Sequence, residues 1–159
     1  MRRLFIMRKD LHMSPGKLAA QVGHCSEVFW LNWIRGNVAL RSVSEREEIQ
    51  PDTGEPVKIS EIHYEIKGNV DYKIYEDYIC GSIVKTICEA RNKSHLLKAM
   101  DMAYELGLIE GTDFGLIFDN CMTELIPEEA NGTTLTGIWF RPLDDDIAHS
   151  ISKKYQLYK

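Results

Sequence analysis

The sequence of 159 residues lacks the features of a membrane or exported protein. Its hydrophobic runs are far shorter than the roughly 20 residues of a membrane-spanning helix, so we expect a soluble protein that does not use a membrane. The start, MRRLFIMRKD, has only four consecutive apolar residues, which indicates a first strand rather than an export signal. Repeats and low-complexity tracts are absent, and 44% apolar residues suit one domain with a real core.

Cysteine and histidine are few and scattered. The four cysteines show neither CxxC pairing nor a dense framework, which predicts reduced thiols and a cytoplasmic location. The five histidines form no HExxH motif, so no metal site is expected. His24 and Cys25 are adjacent and point about 100° apart on a helix, which argues against a nucleophile and base pair. No Walker loop or dinucleotide fingerprint occurs, and we expect no cofactor.

Net positive charge is also lacking, since the formal charge is −5 and the sequence pI is near 5.5. The charge is unevenly distributed. Residues 1–35 hold six Lys or Arg against two Asp or Glu, a balance of +4, whereas residues 36–80 have a balance of −5. A nucleic-acid partner is therefore compatible only with a local basic patch, and its binding should weaken steeply with salt.

The best-specified helix begins with an unusual residue. Ser14 is a good N-cap and Pro15 suits the first helical position. Lys17 is then the third helical residue, where a cation opposes the helix dipole and Glu or Gln is normally preferred. A lysine beside the N–H groups of a helix N-terminus makes a compact site for a phosphate or a developing oxyanion.

A polar row follows Lys17 along the same helix. Gln21 and His24 lie four and seven residues further on, and therefore share its face. These two side chains could support a site, or they could be ordinary surface or edge-of-core residues.

The stretch from Arg8 to His24 resembles the signature of the archaeal and eukaryotic type of peptidyl-tRNA hydrolase. That signature has nine fixed positions, met here by Arg8, Asp10, Leu11, Met13, Gly16, Lys17, Ala19, Gln21 and His24. The resemblance resumes from about Cys80 with GSIVKTICEA, LGLIEGTDFGLIFDNCMTELIP and TLTGIWFRP, in the order of the family. It covers about three-quarters of the chain and implies peptidyl-tRNA as the substrate and partner.

A second polar cluster follows a strand. Asp119 comes after four apolar or aromatic residues, at the carboxyl end of a buried strand, where α/β sheets place their sites. By composition alone Asp119 could equally be a turn residue. The resemblance implies that Asp119, Thr123, Lys17 and Lys85 line the catalytic cleft.

Substrate binding is expected at four further residues, Gln21, His24, Arg8 and Arg141. The family has arginine where this chain has Met122, which removes a planar clamp for phosphate or carboxylate. Arg141, in the Arg141-Pro142 pair that replaces the usual Gly-Pro, could restore a charge at the same sheet edge.

Strand and helix patterns alternate, which predicts an α/β protein. Strands are expected at RLFIMR, GSIVKTICEA, DFGLIFD and TLTGIWF, and helices at residues 14–33, after Asn92 or Ser94, and after an Asp144 cap. The resemblance implies a three-layer sandwich, a mixed sheet of about four strands with helices on both faces. The chain should form a single domain over residues 1–159.

Residues 37–79 form an acidic segment that exceeds the usual length of the family. The turn signal DTGEP and the alternation of Ile62, Tyr64 and Ile66 with polar residues predict an inserted β-hairpin, standing on the domain or extending its sheet. It could gate the site, contact a partner or form a homodimer interface, and the pattern does not choose among these.

Two functions from different classes fit these features. In the first, the protein hydrolyses the ester of peptidyl-tRNA: Asp119 orients or deprotonates water, Lys17 and the helix N-terminus stabilise the oxyanion, and Thr123 donates a hydrogen bond. Lys85 would set the pKa of Asp119 or hold a phosphate. In the second, the fold is a weak or inactive hydrolase that binds a protein or RNA through its acidic insertion. Convergence of the lysine, aspartate and threonine side chains would favour the enzyme.

Overall fold

The computed structural model describes residues 1–159, apart from the side chain of Leu40. In chain order the elements are β1 (Arg3–Arg8), α1 (Pro15–Gly36), β2 (Val38–Ile49), β3 (Pro56–Ile66), a π-helical segment (Ile74–Ile79), β4 (Lys85–Ala90), α2 (Lys93–Glu105), β5 (Phe114–Asp119), β6 (Thr134–Phe140), α3 (Asp145–Ser152) and β7 (Gln156–Leu157). The chain divides into two compact units, one of Met1–Asn32 with Val70–Lys159 and one of Trp33–Asn69.

The first unit contains a five-stranded sheet in the order β5-β6-β1-β4-β7. β1 pairs in parallel with β4 and antiparallel with β6, and β6 pairs antiparallel with β5. The strands β1, β4 and β5 therefore run in one direction, and their carboxyl ends meet at one edge of the sheet. The predicted α/β class with a mixed sheet is confirmed.

Two details of the strand prediction differ. The sheet has five strands rather than about four, because Gln156 and Leu157 pair with the end of β4, a contact of two residues that is too short to show alternation in sequence. β4 begins at Lys85 rather than at Gly81.

All six residues of β1 are buried, and the four apolar ones divide between two hydrophobic clusters. Leu4 and Ile6 pack in a cluster that includes residues of α2 and α3, whereas Phe5 and Met7 pack in a cluster that includes Cys25 of α1. Successive side chains of a strand point to opposite faces, which explains why β1 is apolar at four consecutive positions instead of alternating.

The helix starts follow local sequence signals, with one exception. The Ser14 hydroxyl accepts a hydrogen bond from the Lys17 N–H at 3.2 Å, and the Asn92 side chain accepts one from the His95 N–H at 2.9 Å. The predicted cap at Ser14 is thus confirmed, and of the two candidates for the cap of α2, Asn92 and Ser94, the structure selects Asn92. Asp144 precedes α3 but makes no capping hydrogen bond, since its carboxylate forms an ion pair with Lys73 at 2.5 Å.

The second unit contains a two-stranded antiparallel sheet. β2 and β3 pair from Val38 opposite Ile66 to Ile49 opposite Pro56, in a sheet separate from the five-stranded one. The alternative in which this segment extends the main sheet is therefore wrong. Ile62 and Tyr64 of β3 are exposed, as is Val43 opposite Ile62.

The tyrosine-rich stretch after β3 is helical. Residues 74–79 form the π-helical segment, in which Ile74 and Tyr78 are buried. In the described part of the chain, no helix is both long and apolar enough to cross a membrane.

Candidate active site

Asp119 lies at the carboxyl edge of the five-stranded sheet. It is the last residue of β5 and is only 8% exposed. The edge where β1, β4 and β5 end is the position at which α/β sheets commonly hold their ligands. The first turn of α1, which follows β1 after a short loop, brings Lys17 to the same edge.

The side chains of Lys17, Asp119 and Thr123, for which the family resemblance implies a place in the catalytic cleft, lie close together. The Lys17 Nζ atom lies 2.7 Å from the Asp119 Oδ2 atom and 3.4 Å from the Thr123 Oγ1 atom. The side chains of Lys17 and Asp119 are 13% and 9% exposed, whereas Thr123 is exposed. An ammonium group is therefore held between a buried carboxylate and a hydroxyl that solvent or substrate can reach.

Gln21 is buried and belongs to this cluster. Its Nε2 atom donates to the Asp119 Oδ2 atom at 2.7 Å, and its Oε1 atom accepts from the Thr136 hydroxyl at 2.7 Å. The interpretation of Gln21 as a surface residue is therefore wrong. Sequence reasoning missed Thr136, although a hydroxyl within the apolar run of a buried strand requires a partner and signals one.

The charge of Asp119 is set by two opposing effects. Burial raises the pKa of its carboxyl group, but the hydrogen bonds from Lys17 and from the Cys121 N–H at 2.8 Å, together with the positive charge of Lys17, lower it, and the net shift is downward. Asp119 is thus an anion at neutral pH. A carboxylate of low pKa is a weak proton acceptor, but it orients donors and water well.

The first turn of α1 is capped from a distant loop. Lys17 occupies the N3 position, where the glutamate of a capping box would bind the N-cap N–H. Glu124 does this instead: its Oε1 atom accepts from the Ser14 N–H and its Oε2 atom from the Ser14 hydroxyl, both at 2.6 Å. These bonds lower the pKa of Glu124. Sequence reasoning missed this residue, and the only signal was a lysine where a capping glutamate was expected.

This capping changes the expected role of the helix N-terminus. The Ser14 N–H is bound by Glu124, Pro15 has no N–H, and the Lys17 N–H is bound by Ser14. Gly16 supplies the remaining N–H of this turn. The ammonium group of Lys17, rather than an open helix terminus, is the main cationic group here.

The loop after Asp119 contains the departures from the family signature. Cys121 has a φ of 55°, in the left-handed region that a non-glycine residue rarely adopts. Its N–H is thereby directed at the Asp119 Oδ1 atom. Met122 is 87% exposed, so its side chain does not fill the space beside the Lys17 and Asp119 pair.

His24 and Arg8 reach this edge of the sheet in different states. His24 is exposed on α1, one turn after Gln21. Arg8 is only 3% exposed, and its guanidinium donates to both carboxylate oxygens of Asp10 and of Glu128 and to the Leu135 carbonyl. Arg8 therefore joins three segments of the protein, and its donors are already used.

The structure does not bring Lys85 and Arg141 to the cluster. Lys85 is the first residue of β4 and pairs with Arg3, at the end of the sheet opposite to Asp119. Arg141 follows β6, which runs antiparallel to β5, and its Nε atom lies 2.5 Å from the Asp113 Oδ1 atom just before β5. The expectation that Arg141 restores a charge at the same edge is wrong, because the direction of β6 places it at the other one.

Metal-binding groups do not gather at this site. Within the described residues no set of three or more His, Cys, Asp or Glu side chains is arranged to hold an ion.

The comparison with known families agrees with the signature around Lys17. The family model described as peptidyl-tRNA hydrolase PTH2 matches residues 1–158, nearly the whole chain. Members of this family hydrolyse the ester that joins a peptide to tRNA. The sequence signature, the converging lysine, aspartate and threonine, and a match over this length lead to one conclusion: the chain belongs to the PTH2 family of peptidyl-tRNA hydrolases.

Proposed function

We propose that Lys17, Asp119, Thr123 and Gln21 carry out the hydrolysis of peptidyl-tRNA, releasing the peptide and the free tRNA. The observation that supports this most strongly is the convergence of the Lys17 ammonium, the Asp119 carboxylate and the Thr123 hydroxyl within 3.4 Å. The same convergence favours an enzyme over an inactive binding module.

The reaction adds water to the ester carbonyl and passes through a tetrahedral intermediate with a negative oxygen. Lys17 stabilises this oxyanion, since a positive charge held in a partly buried site acts more strongly than one in bulk water. Asp119 keeps the ammonium in place and orients the attacking water. As its pKa is low, Asp119 acts mainly by positioning, and the attacking water passes its proton to solvent, with Asp119 at most a transient acceptor. When the intermediate collapses, the bond from the carbonyl carbon to the ribose oxygen breaks, the ribose oxygen takes up a proton from water, and the peptide leaves as a carboxylate.

Thr123 and Gln21 complete the arrangement. Thr123 is exposed and close to Lys17, so its hydroxyl can donate a hydrogen bond to the substrate. Gln21 fixes the Asp119 carboxylate from inside the protein, and His24 contacts the substrate from the exposed face of α1. We assign Arg8 to folding and give Lys85 and Arg141 no part in the reaction.

The architecture around this site is inferred from the two hydrophobic clusters. Because α1 packs with one cluster and α2 and α3 with the other, we infer a three-layer sandwich with the sheet in the middle. We further infer a single hydrolase domain, residues 1–159, that carries residues 37–79 as an inserted hairpin and works in the cytoplasm without a cofactor. Homodimerisation through the insertion stays a prediction, which size-exclusion chromatography at two protein concentrations tests.

The experiment compares two aspartates of similar burial. Asp119→Asn keeps the shape of the side chain but removes the charge that holds Lys17, and turnover of peptidyl-tRNA should fall about 100-fold. Asp113→Asn is the matched control, because Asp113 also pairs with a cation and its side chain is 16% exposed, but it lies at the opposite end of the sheet. Equal activity of the two variants would contradict the proposed site.

A further inference from the structure

A groove beside α2 holds positive charge that the catalytic cluster does not use. It is a cavity of about 520 Å³ between α2 and the residues that follow α3. Its lining residues are Arg91, His95, Lys98, Asp101, Met102, Glu105, Lys154 and Tyr155. A second cavity of about 290 Å³ adjoins the first and is lined by Glu89, Arg91, His95, Lys154 and Gln156, three of which the two cavities share.

The cations of this groove differ from most others in the first unit. Lys9, Lys73, Lys93 and Arg141 are each engaged by a carboxylate. Arg91, Lys98 and Lys154, in contrast, have no carboxylate oxygen within 4.0 Å among the described residues. Of the acidic residues that line the two cavities, Glu89 is engaged by Lys9, which leaves the three cations against Asp101 and Glu105. In a protein of net charge −5, this local excess of positive charge can hold an anionic ligand.

The groove is built on a rigid contact. The rings of His95 and Tyr155 stack with their centres 4.6 Å apart, and the Tyr155 hydroxyl donates to the His95 carbonyl at 2.9 Å. The Arg91 N–H donates to the His95 Nδ1 atom at 3.1 Å. These bonds fix the backbone that carries Arg91 and Lys154 against α2. Asp101 and Glu105 lie one and two turns beyond Lys98, at the part of the groove away from Arg91.

The position of the groove relates it to the reaction. Arg91 directly follows β4, whose carboxyl end lies at the same sheet edge as Asp119. Three inter-strand spacings of about 4.8 Å separate β5 from β4, which corresponds to a distance of about 15 Å across the sheet. Stacked nucleotides rise about 3.4 Å each, so a tRNA whose ester lies at Asp119 would bring phosphates four or five nucleotides away to Arg91.

We propose that Arg91, Lys98 and Lys154 bind phosphate groups of the tRNA near its acceptor end. This inference rests on the proposed function, because it places the ester at the Lys17 and Asp119 pair. The cations give affinity without reading sequence, as is usual for contacts with a nucleic-acid backbone.

The test measures equilibrium binding of deacylated tRNA at several salt concentrations. Each phosphate contact adds about 0.7 to 0.9 to the slope of log affinity against log salt. Lys98→Ala and Lys154→Ala should each reduce the slope by this amount, and the double variant should raise the KM for peptidyl-tRNA several-fold with kcat unchanged. Lys58→Ala on β3 is the matched control, since it removes the same charge from an exposed lysine.

Variants that keep the positive charge control for an effect of the substitutions on folding. Lys98→Arg and Lys154→Arg should keep the slope of the wild type. The proposal is overturned if the slope of log affinity against log salt decreases no more in Lys98→Ala and Lys154→Ala than in Lys58→Ala. It is also overturned if the arginine variants show the reduced slope of the alanine variants. Binding of deacylated tRNA needs no hydrolysis, so the two proposals fail in different measurements: a fully active Asp119→Asn variant refutes the catalytic cluster, whereas an unchanged salt dependence in the lysine variants refutes the groove.

Discussion

A partly or fully buried cation lies at each end of the five-stranded sheet, but the two cations have different partners. At the end with Asp119, Lys17 bridges a buried carboxylate and an exposed hydroxyl. At the other end Arg3 is fully buried and donates to the carbonyls of Cys25, Ser26 and Phe140. Burial lowers the pKa of Arg3, whose guanidinium has no carboxylate partner. The first end keeps a cation where a substrate can reach it, whereas the second uses its cation to join α1 to the sheet.

Substitution of Lys17, at the first end of the sheet, and of Lys85, at the other, gives the largest expected difference. Lys17→Ala removes the oxyanion-stabilising charge and should lower kcat about 100-fold, corresponding to about 2.7 kcal/mol. Lys85→Ala should leave kcat and KM within about twofold of the wild type, because Lys85 lies at the opposite end of β4. Single-turnover kinetics on peptidyl-tRNA check both values. A large loss in the Lys85 variant would show that the two ends are coupled.

The contrast between Lys17 and Lys85 also shows what the sequence could predict. Local signals are sufficient for the cap at Ser14 and for the unusual lysine at N3, since both depend on neighbours in the chain. They narrow the cap of α2 to Asn92 or Ser94 without choosing between them. The expected role of Lys85 follows from the family resemblance alone. The place of Lys85 depends on strand direction. Lys85 begins β4 and Asp119 ends β5, and because these two strands run in the same direction, the two residues lie at opposite ends of the sheet.

Other parts of the site depend on contacts between distant segments. Thr136 approaches Gln21, 115 residues earlier in the chain, only because β6 lies beside β1 under α1. Glu124 caps Ser14 across 110 residues. Arg141 is a cation beside the sheet, as expected, but β6 runs antiparallel to β5 and therefore places it at the end opposite to Asp119. No local pattern determines these three outcomes.

Arg8 should matter for stability more than for catalysis. Arg8→Met leaves Asp10 and Glu128 without a partner, although both carboxylates are about one-third exposed and can recover water. We expect a loss of about 2 to 3 kcal/mol in the free energy of unfolding, below the 3 to 5 kcal/mol of a fully buried pair. Urea denaturation at pH 7 measures it.

Arg2→Met is the control for this variant. Arg2 pairs with Asp145 on the surface, where both side chains are more than one-third exposed, and such pairs contribute less than about 1 kcal/mol. If both arginine variants lose the same stability, Arg8 is not the structural link that its five donors indicate.

Thr136→Val tests the inner support of the catalytic cluster. The substitution keeps the shape but removes the hydroxyl that orients the Gln21 amide, so Gln21 holds Asp119 less firmly. We expect kcat to fall about 10-fold, or about 1.4 kcal/mol, with KM nearly unchanged. Adding Gln21→Leu should make the loss from Thr136→Val disappear, because the two act through one chain of hydrogen bonds. Additive losses would contradict that chain.

The smallest expected change is in the titration of Asp119. Burial raises its pKa while Lys17 and the Cys121 N–H lower it, and the lowering dominates, below the ordinary value of 3.8. In Lys17→Ala the burial remains and the main lowering partner is lost, so the pKa should rise; carboxyl NMR over a pH series measures it. The stability that the lowered pKa confers is present above pH 3.8 in the wild type and is lost as the pH falls through the folded-state pKa. In Lys17→Ala, the stability lost on acidification should therefore be smaller than in the wild type. In Lys85→Ala, the Asp119 carboxyl group should titrate as in the wild type. An unchanged Asp119 pKa in Lys17→Ala would mean that the 2.7 Å contact does not govern the charge of the site.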